Sequence, residues 1–175
     1  LLVGTCAQSE ATAQAITLTK VSSFLPAGLD QCDDIHVVGN RVYMPHDMSG
    51  LHILDVADPA NPKVLGSFNP SWRVRQVRLR GNHLFVVTAD YASLKVLDVS
   101  NPAAVREVGS VNVGDYDPCL RLWGRYALLA ARAAGLKVYD ISQPTQPVLL
   151  GTCPADSALG IDVVGSYGFV SDWPG

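Results

Sequence analysis

Self-similarity with a period of about 42 residues constrains this chain more than any other feature. Val38-Gly39-Asn40-Arg41-Val42-Tyr43 recurs as Arg80-Gly81-Asn82-His83-Leu84-Phe85, as Trp123-Gly124-Arg125-Tyr126-Ala127-Leu128 and as Val164-Gly165-Ser166-Tyr167-Gly168-Phe169, with glycines 42, 43 and 41 residues apart. A second block keeps step: Gly50-Leu51-His52-Ile53-Leu54-Asp55, then Ser93-Leu94-Lys95-Val96-Leu97-Asp98, then Gly135-Leu136-Lys137-Val138-Tyr139-Asp140. A third follows each, as Val64-Leu65-Gly66-Ser67-Phe68, Glu107-Val108-Gly109-Ser110-Val111 and Leu149-Leu150-Gly151-Thr152-Cys153, with an earlier copy in Lys20-Val21-Ser22-Ser23-Phe24. Repeats of this length are single supersecondary units that bury their apolar faces by stacking on their neighbours.

Each period divides into four short strands. The first alternates up to the glycine, through Ile35/Val37, Val77/Leu79, Leu120/Leu122 and Ile161/Val163. The glycine then opens a tight hairpin, because it reaches positive φ without steric cost. The third strand is apolar on both faces apart from His52, Lys95 and Lys137, as in a sheet sandwiched between two others. Asp-x-x-x-Pro ends it with turn chemistry, and the Val-Gly-Ser block forms the fourth strand. No segment carries a 3.6-residue period, and Gly 15 and Pro 11 suit a turn-rich chain. The expectation is all-β: a β-propeller of four-stranded antiparallel blades, about three complete and the rest partial, in an incomplete ring. A β-helix has shorter coils, and a sandwich does not repeat its sequence so regularly.

The Leu-x-Val-x-Asp blocks, the hairpins before them and the Asp-Val-Ser-x-Pro-type turns after them resemble the LVIVD repeat, over roughly residues 18–175. The second copy departs from the pattern, with Ser93 for the usual Gly and Val105 where the others have Pro62 and Pro147. The resemblance implies a propeller of the kind found in exported or surface proteins of bacteria and archaea. It carries over no catalytic residue. A WD-repeat reading fails for want of its Gly-His and Trp-Asp pairs, and a kelch reading for want of a Gly-Gly pair in each blade.

Residues 1–17 read as the remnant of an export leader or a disordered N-terminus, since Ala13-Gln14-Ala15 has the form that signal peptidase cleaves. Cys6 offers a possible lipid anchor, although Thr5 before it suits that signal poorly. Blade repeats fall near 34–76, 77–119 and 120–160, with a partial copy at 161–175. Three copies and a fraction do not close a ring, so the chain reads as a fragment with open sheet edges and exposed inter-blade faces.

With 48% hydrophobic and 17% charged residues the chain is no disordered segment. A net charge of −3 without any basic block argues against a nucleic-acid partner. No apolar run reaches the ~18 residues of a membrane span. Propellers carry function on inter-blade loops. The loops entering each first strand place Asp33, Asp34, Trp72, Arg73, Arg75, Tyr116 and Asp117 around the mouth of the central channel, as a candidate polar binding site. Ordinary solvated loops with weak Arg–Asp pairs are the competing reading.

No metal site is expected: His46 and His52 stand six apart, and Asp55, Asp98 and Asp140 read as turn caps rather than calcium ligands. A Cys32–Cys119 bridge is conceivable, but free, buried thiols are favoured. No nucleophile elbow, phosphate loop or paired-acid motif is present, and no cofactor is implied. The expected function is non-catalytic: an exported or cell-surface binding or scaffolding module for an unidentified protein or extracellular ligand. The alternative is a propeller hydrolase or lyase of an extracellular polymer.

Overall fold

The chain is described by a computed structural model over residues 2–4, 19–24, 32–46, 49–90, 92–115 and 118–173. Each period of the sequence forms one antiparallel sheet whose strands follow chain order. The first sheet is β3 (His36–Val38), β4 (Arg41–His46), β5 (Gly50–Asp55) and β6 (Lys63–Phe68). The second is β7 (Val74–Arg80), β8 (His83–Thr88), β9 (Ser93–Asp98) and β10 (Arg106–Asn112). The third is β11 (Cys119–Trp123), β12 (Tyr126–Ala130), β13 (Leu136–Asp140) and β14 (Val148–Cys153). Two-stranded sheets flank them: β1 (Leu2–Gly4) with β2 (Lys20–Ser23), and β15 (Ala158–Val164) with β16 (Tyr167–Asp172). Leu2–Gly4 fall within the stretch read above as leader, and Cys6 and Ala13–Ala15 lie outside the described residues.

Local chemistry accounts for these boundaries. The hairpin glycine sits in the left-handed region, as Gly81 does at φ 58°, in the first position of a two-residue turn. Asp55, Asp98 and Asp140 cap the turn after the third strand, their carboxylates accepting from the amides of Ala57, Ser100 and Ser142 at 2.8, 3.0 and 2.8 Å. Where Val105 replaces the usual proline, Pro102–Ala104 form a single 3-10 turn capped by the Asn101 side chain. The third and fourth strands pair with the same bulge in every sheet, which leaves Leu65, Val108 and Leu150 unpaired.

The core lies between sheets. Tyr43, Leu51 and Ile53 of the first pack on Val77, Leu84 and Val86 of the second. Phe85, Leu94 and Val96 of the second pack on Leu120, Leu129 and Tyr139 of the third. Leu128 and Ala130 then meet Ala158 and Ile161, while Phe24 covers Val42, Met44 and Leu54 at the other end. At the ends of this arc apolar side chains stay exposed, among them Ile35 and Val37 on one side and Val164, Tyr167 and Phe169 on the other. No helix of the described residues is long and apolar enough to cross a membrane. The cysteines correct one expectation: Cys32, Cys119 and Cys153 are free, but Cys32 and Cys153 are exposed rather than buried. Cys32 lies outside the repeat blocks, and Cys153 ends the fourth strand of the third sheet, where the matching Phe68 and Val111 of the earlier sheets pack against the cores between sheets.

Candidate functional site

The entry loops of successive sheets converge because each feeds a first strand on the same inner edge. Asp33, Asp34, Arg75, Gln76, Pro118, Cys119 and Leu159 line one cleft of about 180 Å³ there. Three of the residues named from sequence thus meet. Trp72 does not line this cleft. It packs between sheets against Phe68, with ring centroids 6.1 Å apart, and Lys95 Nζ lies 5.8 Å from its ring. Arg73 is exposed, and its backbone amide donates to Asp90 Oδ1 at 3.2 Å. Tyr116 and Asp117 lie outside the described residues.

The charged groups of the cleft bind one another. Arg75 pairs with Asp33, and Arg78 Nη1 with Asp34 Oδ2 at 2.6 Å. The same Asp34 oxygen accepts from the Val77 amide at 2.9 Å, across the gap between sheets. Gln76 repeats this arrangement one sheet on, its Oε1 accepting from the Leu120 amide at 2.6 Å. Asp34 and Gln76 both stand five residues before the hairpin glycine, so an acceptor at that position ties each inner strand to the next. Cys119 and Gly160 occupy the same position in the following copies and supply no side-chain oxygen. Sequence reading missed this latch; its only signal was a polar residue at one register position of two copies.

Removing the latch leaves part-buried donors unsatisfied, which costs about 1–3 kcal/mol. Asp34→Ala is expected to lower unfolding stability by that amount in urea titration. Asp34→Asn, which keeps an acceptor for Val77 but loses the charge facing Arg78, should cost less.

Burial is the main influence on the titratable groups whose shifts are resolved at Cys32, His36 and His52. Although Cys32 is exposed as a residue, partial desolvation of its thiol raises the pKa, outweighing the hydrogen bond its Sγ makes to Asp34 O at 3.1 Å. Burial, then the Arg78 guanidinium, holds His36 below the ordinary imidazole range, with Asp34 opposing. Burial does the same to His52, whose ring meets that of His46 edge-on at 5.3 Å. An unfolded chain protonates these histidines near pH 6.5, while the folded chain resists. Their contribution to stability is therefore complete above about pH 6.5 and is lost as pH falls through the lower folded values. The urea midpoint should drop between about pH 7 and pH 5.5, and the double variant His36→Asn/His52→Asn should flatten that drop. No cluster of three or more His, Cys, Asp or Glu able to hold a metal occurs among the described residues.

Known proteins fit this geometry. The chain superposes on the computationally designed Ika4 protein with a TM-score of 0.69 and 14% identity, over 88% of this chain and 92% of that one. The computationally designed Ika8 protein matches with a TM-score of 0.65 and 14% identity, over 81% of this chain but 42% of that one. The N-terminal domain of Nup159 matches at 0.52 and 12% identity, over 85% and 41% of the two chains. These likenesses speak for the fold alone. No curated protein matches the sequence. The LVIVD repeat matches residues 31–70, 73–113 and 120–154, one match on each four-stranded sheet. Most of the sequence falls within these three matches, and the chain belongs to the LVIVD-repeat family.

Proposed function

We propose that this chain is a non-catalytic binding or scaffolding module that works outside the cell or at its surface, with the cleft at the inner edge as its contact site. The observation that carries this reading is the engagement of the cleft carboxylates. Asp33 and Asp34 are paired with Arg75 and Arg78, an arrangement that joins sheets rather than one that holds a carboxyl ready to exchange protons. The cleft is also smaller than the ~300–1,000 Å³ of ordinary small-molecule sites, which suits a projecting group of a larger partner. Both signs of charge line it, so a polar or zwitterionic group is the expected guest.

A panel of extracellular polysaccharides and peptides tests the reading, with binding followed by calorimetry and turnover by product release. Binding without product is expected, weakened about tenfold by Asp33→Asn/Arg75→Gln, a loss of ~1.4 kcal/mol. Product release that disappears in Asp33→Asn/Asp34→Asn contradicts it and favours a hydrolase or lyase. Export is proposed with the N-terminal residues retained, because Leu2–Gly4 form a strand of the fold. A tryptic peptide that spans Leu2 to Lys20 should then be recovered from the exported protein; a mature chain starting at Ile16 contradicts this.

A further inference from the structure

The first sheet departs from its neighbours at three register positions of one face, and the departures share a chemistry. Met44 and His52 stand directly opposite each other in the ladder between β4 and β5, and His46 lies two residues beyond Met44 on the same side of its strand. The second sheet carries Val86, Thr88 and Lys95 at these positions, and the third carries Leu129, Ala131 and Lys137. In the second sheet they meet ordinary structural needs. Thr88 Oγ1 accepts from the Ser93 amide at 3.2 Å, and Lys95 Nζ reaches Glu107 Oε1 at 2.9 Å. Val64 stands where Glu107 does, so His52 does not inherit that carboxylate. Stacking of sheets asks for an apolar residue, a small residue and a lysine; the first sheet supplies a thioether and two imidazoles.

The three side chains are close together and largely dry. Met44 and His46 are each 3% exposed, while His52 is half-buried and borders solvent. The rings of His46 and His52 meet edge-on with centroids 5.3 Å apart. With metal–nitrogen bonds of about 2.0 Å, ring centres at that spacing subtend roughly 110° at a shared ion, as in three- and four-coordinate sites. His52 Nδ1 is buried and has no hydrogen-bond partner among the described residues, a state that calls for a ligand. Phe24 packs with Val42 and Leu54 around Met44, which keeps this side of the site apolar.

We propose that Met44, His46 and His52 bind one soft monovalent cation, copper(I). Thioether and imidazole are neutral ligands that select a soft ion, and the thioether completes a set that His, Cys, Asp and Glu alone do not. The donor set contains no carboxylate. A divalent ion would therefore bring two uncompensated charges into an apolar pocket, and a monovalent ion costs less to bury there. The ion enters and leaves without change of oxidation state. This site lies on the two middle strands of the first sheet, apart from the cleft at the inner edge.

Anaerobic titration with copper(I) against a chromophoric chelator tests the proposal on the full 175-residue chain. Thiolates bind the same ion, so the chain carries Cys6→Ser, Cys32→Ser, Cys119→Ala and Cys153→Ser. One copper(I) per chain is expected. His46→Thr and His52→Lys should each weaken binding about a hundredfold, and Met44→Leu about tenfold. Each variant installs a residue that a neighbouring sheet already carries, so the metal-free urea midpoint should stay close to that of the parent. X-ray absorption at the copper edge gives a second reading, with nitrogen ligands and a sulfur that disappears in Met44→Leu. No uptake of copper(I) by the folded chain, full affinity in His46→Thr/His52→Lys, a sulfur signal unchanged in Met44→Leu, or zinc(II) bound as tightly would each overturn the proposal.

Discussion

Valine in place of Gly66 is expected to destabilise the fold by about 3 kcal/mol or more, the upper range for overpacking a tight contact. A Cβ at this position would overlap the Pro102 carbonyl oxygen and crowd the Ala103 amide at 3.1 Å, both in the turn of the next sheet. The atoms it meets are backbone, which cannot swing aside as a side chain can. Gly109 makes the same approach one sheet on, where a Cβ would lie 2.7 Å from Pro144 O, so Gly109→Val should behave alike. Gly151 holds the equivalent position in the third sheet, and a Cβ there meets nothing within 4 Å. Gly151→Val should therefore change stability by less than about 0.5 kcal/mol. Urea unfolding of the three variants checks the ordering, which depends on neighbouring sheets and not on glycine content.

The second large effect belongs to Phe85. Its ring is fully buried between the second and third sheets, among Leu120, Ala127 and Leu129. Truncation to alanine removes the ring and leaves a cavity the flanking sheets cannot collapse, at a cost of about 4 kcal/mol. That is a large share of the ~5–15 kcal/mol that holds an ordinary domain together. Phe169→Ala, at the matching position but on the open end of the arc, should cost less than about 0.5 kcal/mol. Chemical denaturation of both variants reads the difference directly.

Sequence periodicity made the fold legible because each repeat faces the same physical problem. A Leu-x-Val-x-Asp strand that is apolar on both sides has to be covered twice, and Leu94, Val96 and Leu97 are fully buried for that reason. Asp98 was readable as a turn cap because its partner, Ser100, is two residues away. Features joined across sheets were not readable in the same way. Asp34 finds Arg78 and the Val77 amide more than forty residues on, and Gln76 does the same work with a different side chain. Trp72 gave no local sign of whether a loop aromatic faces a ligand or the next sheet. Leu2–Gly4 is a short apolar run before a polar stretch, and a leader and an edge strand look alike at that length.

Amide hydrogen exchange tests the central claim, that equivalent sheets are stabilised by being sandwiched in an arc. The account predicts the slowest exchange in β8 and β9, flanked on both sides by other sheets, and faster exchange in β16 on the open end. Rapid exchange across Leu94–Leu97, or protection in β16 equal to that in β9, would contradict it.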